Sequence, residues 1–166
     1  MTETAGPEFA KKIRNPFLES ENYLCFGCSP KNQSGLQMEF YEEGEEVVSY
    51  WSPRDSFKGY GSFLHGGIQT TLMDEIAAWT VFVKVKTAGV TSSIETRFHK
   101  PVYTNRGKIE LRAKVEELNR NIATIQVRLL DSNQVLCSES RVDCFTYPQK
   151  IALKKLHYPG YESFSE

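Results

Sequence analysis

The sequence has no long apolar run and almost no net charge. No stretch of its 166 residues is apolar over the length needed to span a bilayer. The 20 basic and 21 acidic side chains nearly cancel, at a net charge of -1, so there is no overall attraction for nucleic acid or an anionic membrane. Residues 1–17 mix acids and bases without the apolar centre of a secretory signal. We therefore expect a cytoplasmic protein with neither nucleic acid nor membrane as a partner.

Cysteine is scarce, and the four present are expected as reduced thiols in the cytoplasm. Cys25 and Cys28 have the spacing of a metal-ligand pair, but one such pair is not enough for a tetrahedral zinc site. Cys137 and Cys144 fall on opposite faces of a predicted strand, so they do not supply a second pair. The sequence therefore predicts no metal site.

The length predicts one domain, residues 1–166, large enough for a core without disulfides or metals. We expect residues 1–24 to form an N-terminal arm and residues 149–166 an irregular tail. Between them, alternating apolar and polar residues predict an antiparallel sheet with one solvated face. The expected strands are 36–41, 47–51, 91–98, 108–116, 123–129 and 135–147.

A single helix is predicted over residues 67–85, between the second and third strands. Its apolar residues recur at steps of three and four, and they are Ile68, Leu72, Ile76, Trp79 and Val83. The opposite side is small and mostly apolar, so the helix must be covered on nearly all sides. A curved antiparallel sheet wrapped around one long central helix, an α+β fold, meets that demand.

Two adjacent carboxylates lie on this helix. Asp74 falls among small residues opposite the main apolar stripe, and Glu75 is displaced from it by about 100°. The two therefore cannot point into one place as a paired acid and base. A carboxylate on an apolar helix is costly unless it is hydrogen-bonded or functional, which leaves both a structural and a catalytic explanation open.

The turn before the helix reads His65-Gly66-Gly67. Backbone N–H groups at a helix N-terminus are unpaired and carry the positive end of the helix dipole. Glycine lets a ligand oxygen approach them closely, so such a turn can stabilise the oxyanion of acyl transfer. The alternative is a tight turn with a structural histidine.

The run from His65 to Glu75 resembles the signature of hotdog-fold thioesterases related to the phenylacetate-pathway (PaaI-like) family. The segments 57–61, 25–28 and 35–36 are similar to one bacterial branch of these proteins, and the resemblance covers roughly residues 25–147. It implies the hotdog fold and an acyl-CoA substrate, with no separate cofactor because coenzyme A is part of that substrate. It also implies a homodimer, often a dimer of dimers (a homotetramer), with active sites between subunits.

By this resemblance, the amide of Gly66 or Gly67 polarises the thioester carbonyl and His65 orients that end of the substrate. Asp74 of the partner subunit acts as general base or nucleophile, and Glu75 takes that role if the helix phase differs. The sequence departs from some relatives in two places. Gly59 stands where some animal relatives carry an amide side chain, and Thr91 stands where some carry a serine.

Residues 97–120 hold seven bases and three acids, a composition that suits the phosphates of coenzyme A. Because these bases alternate with core residues, a solvated strand face explains most of them. The better phosphate contacts lie at strand ends. The full set of expected substrate contacts is Gly61, Glu75, Thr91, Ser92, His99, Lys100, Asn119 and Arg120.

The sequence thus favours hydrolysis of an acyl-CoA thioester to a free acid and coenzyme A. The alternative is a non-catalytic acyl-CoA-binding protein on the same fold. A hydratase or dehydratase ranks last, because those relatives use a different arrangement of histidine and acid.

Overall fold

The computed structural model describes residues 9–165, which form one seven-stranded antiparallel sheet around one long helix. The strands follow the spatial order β1-β2-β3-β5-β6-β7-β4, so β4 lies at an edge. Their bounds are β1 Lys11–Lys12, β2 Tyr41–Glu43, β3 Glu46–Trp51, β4 Gly89–Phe98, β5 Ile109–Asn119, β6 Ile122–Leu130 and β7 Leu136–Thr146.

The helix α1 spans Gly66–Thr80 and continues as a π-helical turn over Val81–Val85. It ends where Lys86 adopts a left-handed conformation with φ 60°. The sheet wraps around α1, which packs on β3, β4, β5, β6 and β7. Leu72 and Ile76 are fully buried, as the predicted apolar stripe requires. This arrangement is the hotdog fold, and it confirms the predicted fold class.

The first predicted strand is correct in burial but wrong in pairing. Leu36, Met38 and Phe40 are buried in alternation, yet ladder pairing begins only at Tyr41. The reason is that residues 36–38 hydrogen-bond with residues 26–27, through Leu36 N–H to Phe26 O at 2.7 Å and Met38 N–H to Gly27 O at 2.9 Å. The alternation of apolar and polar residues therefore indicates which side chains are buried. The backbone hydrogen bonds of residues 36–38 are made with a loop instead of a strand.

The C-terminal segment is ordered, and its prediction as an irregular tail is wrong. A helix, α2, spans Gln149–Lys155, and a 3-10 turn spans Tyr161–Phe164. Tyr158 and Phe164 are buried, with Phe164 5.7 Å from the Trp79 ring and the Tyr158 hydroxyl donating to Phe82 O at 2.9 Å. These two aromatic side chains cover the C-terminal part of the long helix, which keeps the segment in place.

The N-terminal segment also packs onto the long helix. Residues 1–8 of the predicted arm lie outside the described residues. Ile13 is buried, and Phe17 stacks on Tyr23 at 5.7 Å and meets Trp79 edge-on at 6.4 Å. In residues 9–165, no helix combines the length and the apolarity that crossing a membrane requires.

Candidate active site

The turn before α1 leaves the backbone amide of Gly66 available. His65 is the N-cap, and its Nδ1 accepts a hydrogen bond from Gly67 N–H at 2.9 Å. Gly67 therefore has an internal partner, whereas Gly66 N–H has no acceptor within residues 9–165. Because Nδ1 of His65 is an acceptor, the neutral imidazole carries its proton on Nε2. Of Gly66 and Gly67, Gly66 therefore has the amide that is free to donate to a ligand.

A buried glutamine, Gln69, holds this turn against the sheet. Its Nε2 donates to Leu64 O at 3.1 Å, and its Oε1 accepts from Ser138 Oγ on β7 at 2.9 Å. Its backbone N–H donates to His65 O at 3.0 Å. Sequence reasoning gave Gln69 no role. The available signal was a polar residue on an otherwise apolar helix, directly after the turn.

Asp74 lies in the middle of α1 and faces the edge strand β4. It is half-buried, and its Oδ1 accepts a hydrogen bond from Thr91 Oγ1 at 2.7 Å. Thr91 lies where the β4–β7 register shifts, between Thr91 and Ser93. Such a bulge redirects a side chain, here toward the helix. Ser92 instead donates to Asp143 O at 3.0 Å and does not reach Asp74.

Glu75 points to a different part of the molecule. Its Oε1 lies 3.5 Å from Cys25 Sγ and accepts from Trp79 Nε1 at 3.3 Å. Burial, followed by the charge of Cys25, raises the pKa of Glu75 to about 7. The structure thus agrees with the sequence that the two carboxylates diverge. It offers no support for Glu75 as a substitute for Asp74 or as a contact in the Asp74 site.

The thiol beside Glu75 is perturbed as well. The Cys28 thiol donates to Cys25 Sγ at 3.3 Å, and this hydrogen bond lowers the pKa of Cys25 to about 5 against the opposing effect of burial. The same hydrogen bond, together with burial, raises the pKa of Cys28.

Helix α1 and strand β4 run antiparallel, so the start of the helix contacts the end of the strand and later helix residues contact earlier strand residues. A Cβ placed on Gly66 would lie 3.4 Å from Phe98 Cζ at one end, and Asp74 meets Thr91 at the other. Eight residues of helix separate Gly66 from Asp74, which is about 12 Å of rise. Within one chain the Gly66 amide and the Asp74 carboxylate therefore cannot act on the same carbonyl group.

The expected phosphate contacts lie in two separate depressions. His99 and Lys100 line a groove of about 350 Å³ beside the His65 turn, together with Phe98. Asn119 and Arg120 line another of about 510 Å³ at the turn between β5 and β6. That turn adjoins the Gly89 end of β4, because Asn121 O accepts from the backbone of Thr146, which pairs with Gly89. The two groups thus lie at opposite ends of β4. Gly61 lies in an exposed turn with φ 59°.

Two of the remaining bases in residues 97–120 are held in ion pairs. Arg112 contacts Glu43 at 2.9 Å, Glu46 at 2.5 Å and Glu110 at 2.6 Å. Arg97 pairs with Glu95 at 3.1 Å. Arg97 is exposed, as a solvated strand face predicts, whereas Arg112 is largely covered by its three carboxylate partners.

The chain has the hotdog fold, and its likeness to known proteins falls on the segment that holds this turn and helix. Residues 61–138 match the family model described as the thioesterase superfamily. This match agrees with the resemblance to thioesterases seen in the sequence. The matched segment includes the turn, α1 and Asp74.

Individual relatives are more distant. Ta0293 of Thermoplasma acidophilum, a protein assigned as an esterase, is 27% identical over 95 residues, which are 57% of this chain and 70% of that protein. Thioesterase HI1161 of Haemophilus influenzae is 23% identical with a TM-score of 0.64, covering 74% of this chain and 86% of its own. The PaaI protein of E. coli is 16% identical with a TM-score of 0.62, over 69% and 82% of the two chains.

A protein of Streptococcus pneumoniae, described as a hypothetical thioesterase and solved with coenzyme A, is 18% identical. Its TM-score is 0.62, and the match covers 68% of this chain and 87% of that one. At this level of identity, the solved structures establish the shared fold.

Proposed function

We propose that this protein hydrolyses an acyl-CoA thioester, with Gly66 N–H as the donor to the carbonyl oxygen and Asp74 as the acid. One observation carries the proposal. The N-terminal amide of α1 has no acceptor in the described part of the chain, and the same helix holds a carboxylate that Thr91 orients. An amide at a helix N-terminus stabilises the negative charge that develops on a carbonyl oxygen under attack. The match to the thioesterase superfamily supports thioester hydrolysis as the reaction.

As a general base, Asp74 takes a proton from water while the water oxygen attacks the carbonyl carbon. The negative charge of the tetrahedral intermediate rests on the oxygen that faces Gly66 N–H. Collapse of this intermediate breaks the carbon–sulfur bond, and the proton held by Asp74 passes to the departing coenzyme A thiolate. The other route is attack by the Asp74 carboxylate on the carbonyl carbon, which breaks the carbon–sulfur bond, releases coenzyme A thiolate and leaves an anhydride. Water then hydrolyses the anhydride to the free acid and the Asp74 carboxylate, and the proton released passes to the thiolate. In both routes the Thr91 hydroxyl fixes the orientation of the carboxylate.

A complete site requires two copies of the chain. The roughly 12 Å of helix rise between Gly66 and Asp74 exceeds the reach of one thioester group. Strand β4 supports pairing with a second copy, since it is ten residues long and pairs on one side only, with β7, within residues 9–165. A long unpaired strand edge is a ready template for another strand.

Antiparallel pairing of two β4 strands about a twofold axis places the Phe98 end of one copy beside the Thr91 end of the other. Since Gly66 lies near Phe98 and Asp74 near Thr91, Gly66 of one copy approaches Asp74 of its partner. We therefore propose a homodimer with two shared sites. The dimer of dimers and the PaaI-like branch remain proposals that rest on the family resemblance.

The same pairing gathers the expected coenzyme A contacts. His99 and Lys100 of one copy come to the end of β4 at which the partner places its Asn119 and Arg120. Basic and amide side chains suit the phosphates of a nucleotide. The coenzyme A bound to the Streptococcus pneumoniae relative supports a ligand of this kind.

The test is thiol release from a panel of acyl-CoA thioesters that covers short, long and aromatic acyl groups. We expect turnover of at least one of them and its loss in Asp74→Asn. Tight binding of acyl-CoA without turnover would instead support the alternative, a non-catalytic acyl-CoA-binding protein. The absence of both turnover and binding across the panel would contradict the proposed function.

A further inference from the structure

We propose that Cys25, Cys28 and Glu75 form a binding site for one zinc ion, on the side of α1 away from Asp74. The site is independent of the proposed hydrolysis, which uses none of these side chains. The sequence showed only one cysteine pair, too few for a zinc site. The fold adds the third ligand from a position 50 residues further along the chain.

The distances suit a tetrahedral ion. The two Sγ atoms are 3.3 Å apart, Cys25 Sγ lies 3.5 Å from Glu75 Oε1, and the ligand atoms of the three residues lie within 4.8 Å of one another. Zinc bound at about 2.3 Å to sulfur and about 2.0–2.2 Å to oxygen places tetrahedral ligand atoms roughly 3.5–3.8 Å apart. To hold a zinc ion, the two sulfur atoms would separate by a few tenths of an ångström, and the Cys25–Glu75 distance already lies in this range.

The cluster is rich in acidic groups, and no cation pairs with it among the described residues. Two thiols and a carboxyl group face one another, and Cys28 is buried. Within residues 9–165, no lysine, arginine or histidine forms an ion pair with Glu75. Bringing such groups together out of water is costly unless a counter-charge or a metal neutralises them. A divalent cation supplies the missing positive charge.

The loop that carries the cysteines is shaped to reach Glu75. A Cβ on Gly27 would overlap the Glu75 carboxyl group, so glycine lets the loop lie against this side chain without displacing it. Trp79 Nε1 donates to Glu75 Oε1 at 3.3 Å, which is the kind of outer hydrogen bond that orients a ligating carboxylate.

The ligand types select the metal. Thiolates favour zinc over magnesium or calcium, which prefer all-oxygen sites. Three protein ligands leave a fourth position for water or for the hydroxyl of Tyr23, which lies 2.7 Å from Cys28 Sγ. A Cys25–Cys28 disulfide is the competing explanation, but it assigns no role to Glu75 or to Gly27.

The experiment begins with the metal content of the full chain purified without chelators. The apo protein, prepared with a chelator under reducing conditions, is then titrated with Zn²⁺ and with Co²⁺ as a spectroscopic probe. We expect one ion per chain, a thiolate-to-cobalt charge-transfer band, and d–d bands typical of four-coordination. Zinc should raise the Tm of the apo protein by about 5–10 °C when it is present well above its Kd.

Variants then test each ligand. Cys25→Ser and Cys28→Ser should abolish the charge-transfer band or weaken binding more than 100-fold, and Glu75→Gln should weaken it at least tenfold. Cys137→Ser, a buried cysteine outside the cluster, is the matched control and should bind Co²⁺ as the parent does. Equal affinity in Glu75→Gln and the parent would overturn the assignment of Glu75 as a ligand and with it the proposed site.

A measurement on the parent chain avoids any folding defect of the variants. Zinc should protect Cys25 and Cys28 of the apo protein from alkylation and from oxidation, as read by mass spectrometry of peptides. The absence of metal uptake by the reduced apo protein would overturn the proposal. Formation of a Cys25–Cys28 disulfide at the same rate with and without zinc would also overturn it.

Discussion

Asp74 and Glu75 are neighbours in the chain, but their side chains lie in opposite surroundings. Asp74 is half-buried, faces an edge strand and receives one hydrogen bond from Thr91. Glu75 is enclosed by the Cys25–Cys28 loop and Trp79, and burial raises its pKa to about 7. One step of about 100° around a helix separates these environments. The helix α1 therefore leaves one face half-exposed beside an edge strand and packs a loop against another.

The largest expected effect is a loss of activity, and it distinguishes Asp74 from Glu75. Asp74→Asn removes the base and should lower kcat about 10²–10⁴-fold, while the Tm stays close to that of the parent. Steady-state thiol release and thermal melts measure the two quantities. Glu39→Gln is the control, since that exposed carboxylate pairs with Lys12 at 2.9 Å and lies outside the proposed site. Full activity in Asp74→Asn would mean that the Asp74 face of α1 serves the reaction no more than the Glu75 face does.

The second prediction concerns the amide at the start of α1. Gly66→Pro removes the N–H at the first helical position, where proline fits, and the ψ of 133° at His65 suits a following proline. We expect kcat to fall about 10²–10³-fold, the usual loss for one oxyanion donor. Gly66→Ala adds the same Cβ near Phe98 but keeps the N–H, so it should retain most activity. Equal losses in both variants would point to crowding rather than to a missing donor.

A smaller effect is expected from Thr91, which orients Asp74. Thr91→Val keeps the shape of the side chain and removes the 2.7 Å hydrogen bond to Oδ1. The loss of a hydrogen bond to a charged group should lower kcat about tenfold. Thr91→Ser, which keeps the hydroxyl, should recover most of that loss. If Ser and Val lower kcat alike, the hydroxyl does not orient the acid.

The smallest effect on activity is expected on the enclosed face. Glu75→Gln should change kcat by less than about threefold, which is under 1 kcal/mol of activation free energy. In the presence of zinc it should lower the Tm, because the proposed ion loses a ligand. Melting curves of parent and variant with and without zinc measure this difference. A loss of kcat as large as that of Asp74→Asn would mean that both faces of the helix serve the chemistry.

Local patterns predicted most of the fold. The apolar spacing of residues 68–83 and the glycines at its start place the helix nearly where it is observed, Gly66–Val85. Two segments did not follow their patterns. Residues 36–40 alternate because they are buried, although a loop supplies their hydrogen bonds. The C-terminal segment is ordered by Tyr158 and Phe164, whose contacts are set by tertiary packing rather than by local sequence.

In the candidate site, too, some features follow from local sequence and others from tertiary packing. The turn, Asp74 and the divergence of Glu75 follow from short-range spacing on one helix. The role of Gln69 depends on Ser138, 69 residues away, and the cluster around Glu75 depends on Cys25, 50 residues away. Contacts over such separations are decided by the packing of the whole sheet, which no local pattern in one sequence reports.

The most direct test of the central claim is a heterodimer of Asp74→Asn and Gly66→Pro subunits, purified through two different tags. If each site combines Gly66 of one copy with Asp74 of the other, one site carries both changes and the second is intact. The heterodimer should then recover about half of the parent activity per dimer, although each homodimeric variant is nearly inactive. A heterodimer no more active than the two variants would contradict a site shared between subunits.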